Sequence, residues 1–283
     1  MASVGIAPAP GTARTRRPRS RRSLTGGSGL ALGVTMIWFS LLVLIPLTAV
    51  LISAAGLGPV EFWRVITQPQ TAAALRLTVL ESLAVTALNI VMGTALAWVL
   101  VRDRFWGKSL VDIVIDVPFA LPTIVAGLVL LSLYGPSSPL GVNVANTRIA
   151  VFLALAFVTL PFVVRTVQPV LESLERDVEE AAASLGAGRW TAFRRVILPS
   201  LIPAIAAGAA LSFARGISEY GSLVLLSGNL PGKTEVASVR VLTFIENGNR
   251  EAASAVAAIM LLVALLVILV LDLIQRRLAR RGD

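Results

Sequence analysis

Long apolar stretches alternate along this chain with short polar connections that carry arginine. Six of the stretches read as membrane-spanning helices: Leu30–Ser53, Leu77–Val101, Val111–Tyr134, Ile149–Val167, Leu201–Leu226 and Ala253–Ile274. Each is about 20 residues or longer, the length a helix needs to cross a hydrocarbon layer of roughly 30 Å. The third contains Pro118 and Pro122 in "DVPFALPTIVAG". A proline deletes an intrahelical hydrogen bond, so this span is predicted to be kinked and packed against neighbours. The aromatic, half-polar stretch "EFWRVITQPQ", Glu61–Gln70, is predicted to lie at the outer interface. The longest charged interruption is "EEAAASLGAGRWTAFRRVILPS", from Glu179 to Ser200.

Residues 1–29 have a different character: Pro, Gly, Ser and six closely spaced arginines, from Arg14 to Arg22. They hold too little apolar surface to offset the entropy of ordering, which predicts a flexible basic tail. "SRRSL" at Ser20–Leu24 is similar to a twin-arginine export signal, and "SAA" at Ser53–Ala55 could mimic a cleavage site. The apolar run between them is longer than a signal core and further spans follow, so the reading is an uncleaved first helix.

Composition sharpens this picture. Of 283 residues, 56% are hydrophobic and 14% charged, with a mean hydropathy of +0.82; soluble domains carry about 25% charged residues. A single soluble core cannot bury six such stretches. The chain has no cysteine and no histidine, which excludes disulfides, thiolate and imidazole metal sites, Ser-His-Asp triads and cysteine nucleophiles. The scattered acids Glu81, Asp112, Asp116 and Glu219 form no recognisable catalytic constellation. No internal repeat of the kind found in secondary transporters is visible.

The net charge of +9 belongs to the connections. With the N-terminus inside, eighteen Lys and Arg residues fall on cytoplasmic segments and six on outer ones, Arg215 lying within a span. The positive-inside rule therefore predicts both termini in the cytoplasm, and the basic balance needs no nucleic acid.

That topology puts the Glu179–Ser200 interruption in the cytoplasm. Asp177 and Glu180 have capping-box spacing, starting a helix at Val178. Val178, Ala181, Ala182 and Leu185 fall on one small apolar face. Gly186 is placed to end this helix in a left-handed turn, with Gly188 adding freedom. A second short helix follows, with Trp190, Phe193 and Ile197 along one side, Arg189, Arg194 and Arg195 around it, and Pro199 as its stop. The second helix suits an anionic lipid surface or a protein equally. The first does not suit lipid: Asp177, Glu179 and Glu180 repel phosphates and alanine inserts little, so it reads as a helix that docks into a protein groove.

Glu180-Ala181-Ala182, three residues, Gly186, nine residues, then Val196-Ile197-Leu198-Pro199 resembles the EAA signature, E-A-A-x3-G-x9-I-x-L-P, of permease subunits in bacterial binding-protein-dependent ABC importers. Val196 stands where isoleucine is usual. The resemblance implies an all-α type I importer permease fold over residues 30–283, in the bacterial cytoplasmic membrane, with a cytoplasmic coupling loop at 171–199. It also implies that Glu180, Ala181, Ala182, Leu185 and Gly186, with Val196, Leu198 and Pro199, couple the chain to a separate ATPase.

Further stretches resemble the sulfate/thiosulfate branch, with molybdate permeases as near relatives: "DVPFALPTIVAG", "PFVVRTVQPVLESL", "LSFARGISEYGS" and "SGNLPGKTEV". Ser218 replaces a glycine common in that branch. Arg215 and Glu219 lie four apart in the fifth stretch, where an ionised residue costs at least about 2.5 kcal/mol at the bilayer centre. Two readings stand: an ion pair that fixes helix packing, or a path for a divalent oxyanion lined by Arg215, Ser212, Ser218 and Tyr220, with Glu219 limiting how tightly the anion binds. "GNLPGKT", Gly228–Thr234, looks like a nucleotide-binding loop, but Ser227 stands at the position of the first required glycine and a membrane helix precedes it. A turn at the outer mouth, in reach of a solute-binding protein, is the reading.

The family resemblance thus implies a non-catalytic transmembrane subunit moving sulfate or thiosulfate by alternating access. Its implied partners are an ABC ATPase dimer holding ATP and magnesium, a second and usually different permease, a solute-binding protein and membrane lipid; this chain itself binds no cofactor or metal. The alternatives are a molybdate/tungstate permease, and an ion-coupled transporter or channel that needs no ATPase.

Overall fold

The computed structural model describes residues 26–174, 184, 186 and 188–279. The basic tail expected over residues 1–29 lies outside them up to residue 25, as do Glu180, Ala181, Ala182 and Leu185 of the predicted coupling loop. Every regular element among the described residues is helical.

The chain divides into two units, residues 1–47 and 48–283. Helix α1 (Gly26–Phe39), a π-helical turn at Ser40–Leu44 and α2 (Ile45–Gly56) open the chain, and Gly29–Gly56 is apolar and long enough to cross a membrane. The second unit continues with α3 (Gly58–Thr67), α4 (Pro69–Arg102), α5 (Lys108–Ala120), α6 (Thr123–Tyr134) and α7 (Arg148–Ser173). After the loop come α8 (Arg189–Ala192), a second π-helical turn at Phe193–Ile197, α9 (Leu198–Ile217), α10 (Gly221–Leu226), α11 (Ala237–Glu246) and α12 (Arg250–Ala279).

Five helical stretches among the described residues are long and apolar enough to span a membrane, and α5 with α6 makes a sixth if the bent pair counts as one. The six apolar stretches are therefore present, with three differences from their predicted form. The third is broken outright, its halves meeting at 119°. Pro118 sits inside α5, and the break falls at Leu121–Pro122. A residue before proline is pushed out of the helical region, and Leu121 is extended, with φ −87° and ψ 136°. The fifth stretch ends at Ile217, and α10 follows as a separate short helix. Pro199 does not stop the helix before it: Trp190–Ile217 runs as one helical stretch. The π-turn immediately upstream carries an i→i+5 bond from Leu198 N–H to the Phe193 carbonyl, and the widened turn accommodates a ring that would clash with a regular α-helix. Pro46 likewise follows the first π-turn.

α4, α7 and α9 pack on one another as the centre of the second unit, α12 packs on α9 and α11, and α5 packs on α7. The first halves of α4 and α7 share one apolar cluster (Leu77 and Val85 with Val151 and Leu155). Their last turns share another, which also takes in Ile197 and Leu201. So α4 and α7 run parallel and α9 antiparallel. Close approach depends on small residues, as is usual where apolar surroundings give no hydrophobic drive to helix association: a Cβ on Gly93 would stand 2.8 Å from Val163 Cβ, and one on Gly208 2.9 Å from Val163 Cα. The outer face of α12 is leucine-rich and exposed, Leu262, Leu266 and Leu273 among them. An apolar surface of this kind suits lipid.

Candidate functional site

Two regions hold the residues singled out by sequence, at different levels of the α4–α7–α9 bundle. The first is the end where α4 and α7 finish and α9 begins. Gly186 adopts φ +81°, the left-handed conformation predicted for it, and a Cβ there would meet nothing within 4 Å. Beyond it, Gly188 O accepts from Ala192 N at 3.0 Å, starting α8. Phe193 lies edge-on to Trp98 of α4, with ring centroids 5.4 Å apart, and stacks on Trp190 at 5.6 Å. Ile197 and Leu201 are buried against Val163, Val164, Val167 and Leu171 of α7 and against Ala97 and Leu100 of α4. Val196 and Leu198 are half-buried and Pro199 is exposed. Arg102, the last residue of α4, donates to the Leu174 carbonyl at 3.2 Å, tying that helix to the point where the loop leaves α7. Residues 189–199 thus pack directly on the last turns of α4 and α7 where α9 begins.

At the same level, Arg165 of α7 grips two carboxylates of α5. Its Nε and Nη2 donate to the two oxygens of Asp116 at 2.7 Å each, Nη1 donates to Asp112 Oδ1 at 2.7 Å, and Nη2 also donates to the Asp112 carbonyl at 2.8 Å. In the sequence the two aspartates stand as scattered acids; their i, i+4 spacing on one helix is the available signal, but nothing in the sequence pairs that face with Arg165 of α7.

The second region is the break between α9 and α10. Glu219 stands on the break rather than in a helix, and Arg215 still reaches it: Arg215 Nη2 to Glu219 Oε2 is 2.5 Å, with the glutamate side chain 1% exposed and the arginine 28%. Glu219 Oε1 accepts from both the N–H and the hydroxyl of Ser222 at 2.9 Å, so the carboxylate caps α10 while neutralised by α9. A buried charge persists only when paired and hydrogen-bonded in this way. The Glu219 carbonyl accepts from Ser238 Oγ of α11 at 2.7 Å.

Ser218 and Tyr220 line a cavity of about 390 Å³ together with Ser238, Leu242 and Met260. Ser212 and Arg215 do not line it. Ser212 is buried, and its hydroxyl accepts from Asn89 Nδ2 of α4 at 3.3 Å, while the same amide donates to Thr159 of α7 at 2.8 Å. Of the residues singled out for an anion path, Ser218 and Tyr220 thus line this cavity, and Ser212 and Arg215 lie outside it. Helical spacing lapses at Ile217, so residues beyond it turn away from the face that carries Ser212.

The two breaks meet. A Cβ on Gly127 of α6 would stand 2.6 Å from the Ser222 carbonyl, and one on Gly221 would collide with Thr123 Oγ1 and stand 2.9 Å from Ile124 N. Interrupted helices in contact are where membrane transporters free backbone groups for a solute. The "GNLPGKT" segment folds as a turn on itself: Thr234 Oγ1 donates to the Ser227 carbonyl and accepts from Leu230 N at 3.0 Å. Its hydroxyl is spent on the turn, with Asn229 and Gly232 at positive φ, and the short helix α10 precedes it where a nucleotide loop has a strand. No cluster of three or more acidic residues suited to a metal ion occurs among the described residues.

The family model for the binding-protein-dependent transport system inner membrane component matches residues 89–282. The chain belongs to this family. The match covers the end of α4, the coupling-loop region and every later helix, so both regions described above fall within the family's shared portion. Among curated relatives, the sulfate transport system permease protein CysT of Escherichia coli (strain K12) is 42% identical over 93% of this chain and 97% of its own length. The protein of the same name from Synechocystis sp. (strain PCC 6803) is 45% identical over 86% of this chain and 87% of its own. Among solved structures, a bacterial ABC transporter that imports the acidic polysaccharide alginate superposes with a TM-score of 0.72 over 88% of this chain and 94% of that one, at 18% identity. The permease fold is therefore common to both.

Proposed function

We propose that this chain is one of the membrane-spanning subunits of an ATP-driven importer for sulfate and thiosulfate. The end-to-end similarity to sulfate permeases carries the reading, because it extends through both breaks and through the loop region. The loop between α7 and α8 faces the cytoplasm and seats in a cleft of an ATPase dimer. Glu180, Ala181, Ala182, Leu185 and Gly186 make that contact, and Val196, Leu198 and Pro199 pass its movement into α9. The packing of Ile197 and Leu201 against α4 and α7 supports this transmission. ATP and magnesium are bound and used by the ATPase; this chain catalyses no covalent step. A second, homologous permease completes the pathway, and a solute-binding protein delivers the anion at the opposite end.

Within the chain, the α9–α10 break holds the partly exposed Arg215 beside the buried Glu219, with Ser212, Ser218 and Tyr220 the further residues of the anion path. The cation attracts a tetrahedral dianion and the buried carboxylate tempers the attraction, so the anion is released after each cycle. Alternating access exposes this path first to one side and then to the other.

Radiolabelled sulfate uptake tests the proposal in a strain deleted for the gene, with molybdate as competitor. Uptake is expected to depend on the gene and to resist molybdate. Uptake of molybdate alone, or sulfate uptake unchanged by the deletion, overturns the substrate assignment.

A further inference from the structure

A cavity of about 750 Å³ opens between the last turns of α4 and the helix that starts at Arg189, walled by Ile90, Val91 and Trp98 on one side and Trp190, Phe193 and Leu198 on the other. Its walls are almost wholly apolar side chains, and Trp190 at the rim is 70% exposed. Arg194 and Arg195 lie on the π-turn between Phe193 and Leu198, two residues that line the slot. Arg194 and Arg195 are both exposed and form no ion pair among the described residues. The Arg102 guanidinium stands 5.9 Å from the centroid of the Trp98 ring.

We infer that this slot is a binding site for an anionic phospholipid of the inner leaflet, with an acyl chain along Ile90, Val91 and Trp98 and its phosphate on Arg194 and Arg195. The chemistry selects an amphiphile. A sulfate-class anion has nothing to bury against the apolar walls. An apolar protein helix would fill the slot but bring no counter-charge to the two exposed arginines. Tryptophan collects at the headgroup level of membranes, and basic side chains there favour anionic lipid. A lipid seated here touches Phe193 and Trp190, on the element that carries movement from the loop into α9, so its occupancy bears on coupling. The site rests on the cytoplasmic orientation proposed for the loop. Lipid binding is read on the chain without its ATPase, so failure of this inference and failure of the importer reading are distinguishable.

The test is native mass spectrometry of the full-length chain in mild detergent, titrated with phosphatidylglycerol or with phosphatidylcholine of the same acyl chains. The wild type is expected to retain phosphatidylglycerol preferentially. R194Q/R195Q is expected to retain it about tenfold less, with phosphatidylcholine unchanged, and R194K/R195K to keep most of the preference, because charge near a phosphate is the main term. A95W, which fills the slot from α4, is expected to weaken both lipids. Size-exclusion profiles matching the wild type show that each variant is folded. Equal retention of the two lipids by the wild type, or undiminished phosphatidylglycerol on R194Q/R195Q, overturns the inference. So does an assembled complex that carries no phosphatidylglycerol because a protein partner covers both arginines.

Discussion

Single residues in this chain divide into those whose role follows from their own backbone and those whose role depends on distant partners. Gly186 is of the first kind. Its φ of +81° costs an L-residue roughly 1 kcal/mol or more, and the space around it is open. Gly186→Asp is therefore expected to leave insertion and yield intact while abolishing sulfate uptake, measured by uptake alongside immunoblotting of membranes. Normal uptake would remove the residue from the coupling role. Glu219 is of the second kind. Glu219→Gln keeps an acceptor for Ser222 but leaves Arg215 without its counter-ion, which is expected to lower stability by about 1–3 kcal/mol in detergent melts. Arg215→Leu with Glu219→Leu removes both charges and is expected to recover most of that stability, since replacing a buried pair by apolar groups is often near neutral. Sulfate uptake by the double variant then separates the two readings of the pair: uptake at wild-type rate leaves it structural, and loss of uptake in a stable protein places it on the anion's route. The sequence shows the i, i+4 spacing of these two residues but not the end of the helix between them. No proline marks the stop; it comes from Glu219 capping α10 and from Ser238 holding its carbonyl, contacts that span nineteen residues for Ser238.

At the scale of elements, apolar length was the legible quantity, because a helix that must satisfy its own backbone in lipid declares itself by composition alone. What composition could not show is where such a helix tolerates interruption. Pro46, Pro118, Pro122, Pro161 and Pro203 all lie within the apolar stretches, and only Pro122 coincides with a break; Pro199, just ahead of the fifth stretch, is absorbed by a π-turn instead. The polar contacts between elements were equally hidden. Asn89, Thr159 and Ser212 come from three helices, and the Arg165 fork joins α7 to residues about fifty positions earlier. The meeting of α6 and α10 makes a sharp prediction. Gly127→Ala puts a methyl group 2.6 Å from a backbone carbonyl that cannot swing aside, so the two broken helices must separate. The expected cost is about 1–3 kcal/mol, read as a lower melting temperature and reduced uptake. An unchanged melting temperature would mean that the two breaks are not in contact.

For the whole molecule, the parallel course of α4 and α7 and the reversed course of α9 place the end of α7 and the turn at 227–236 at opposite ends of one bundle. On the proposed reading these are the ends that meet the ATPase and the solute-binding protein. Between them lie the two broken helices, and a bundle joined through small residues and a few buried polar contacts can shift between packings without exposing a large apolar core. On the proposed reading, transport is powered from outside this chain. Reconstitution into proteoliposomes together with the partner permease, ATPase and solute-binding protein, with radiolabelled sulfate accumulation as the readout, is the decisive measurement. Accumulation is expected to require ATP and to be lost with Gly186→Asp. Accumulation driven by an ion gradient without ATP would overturn the reading.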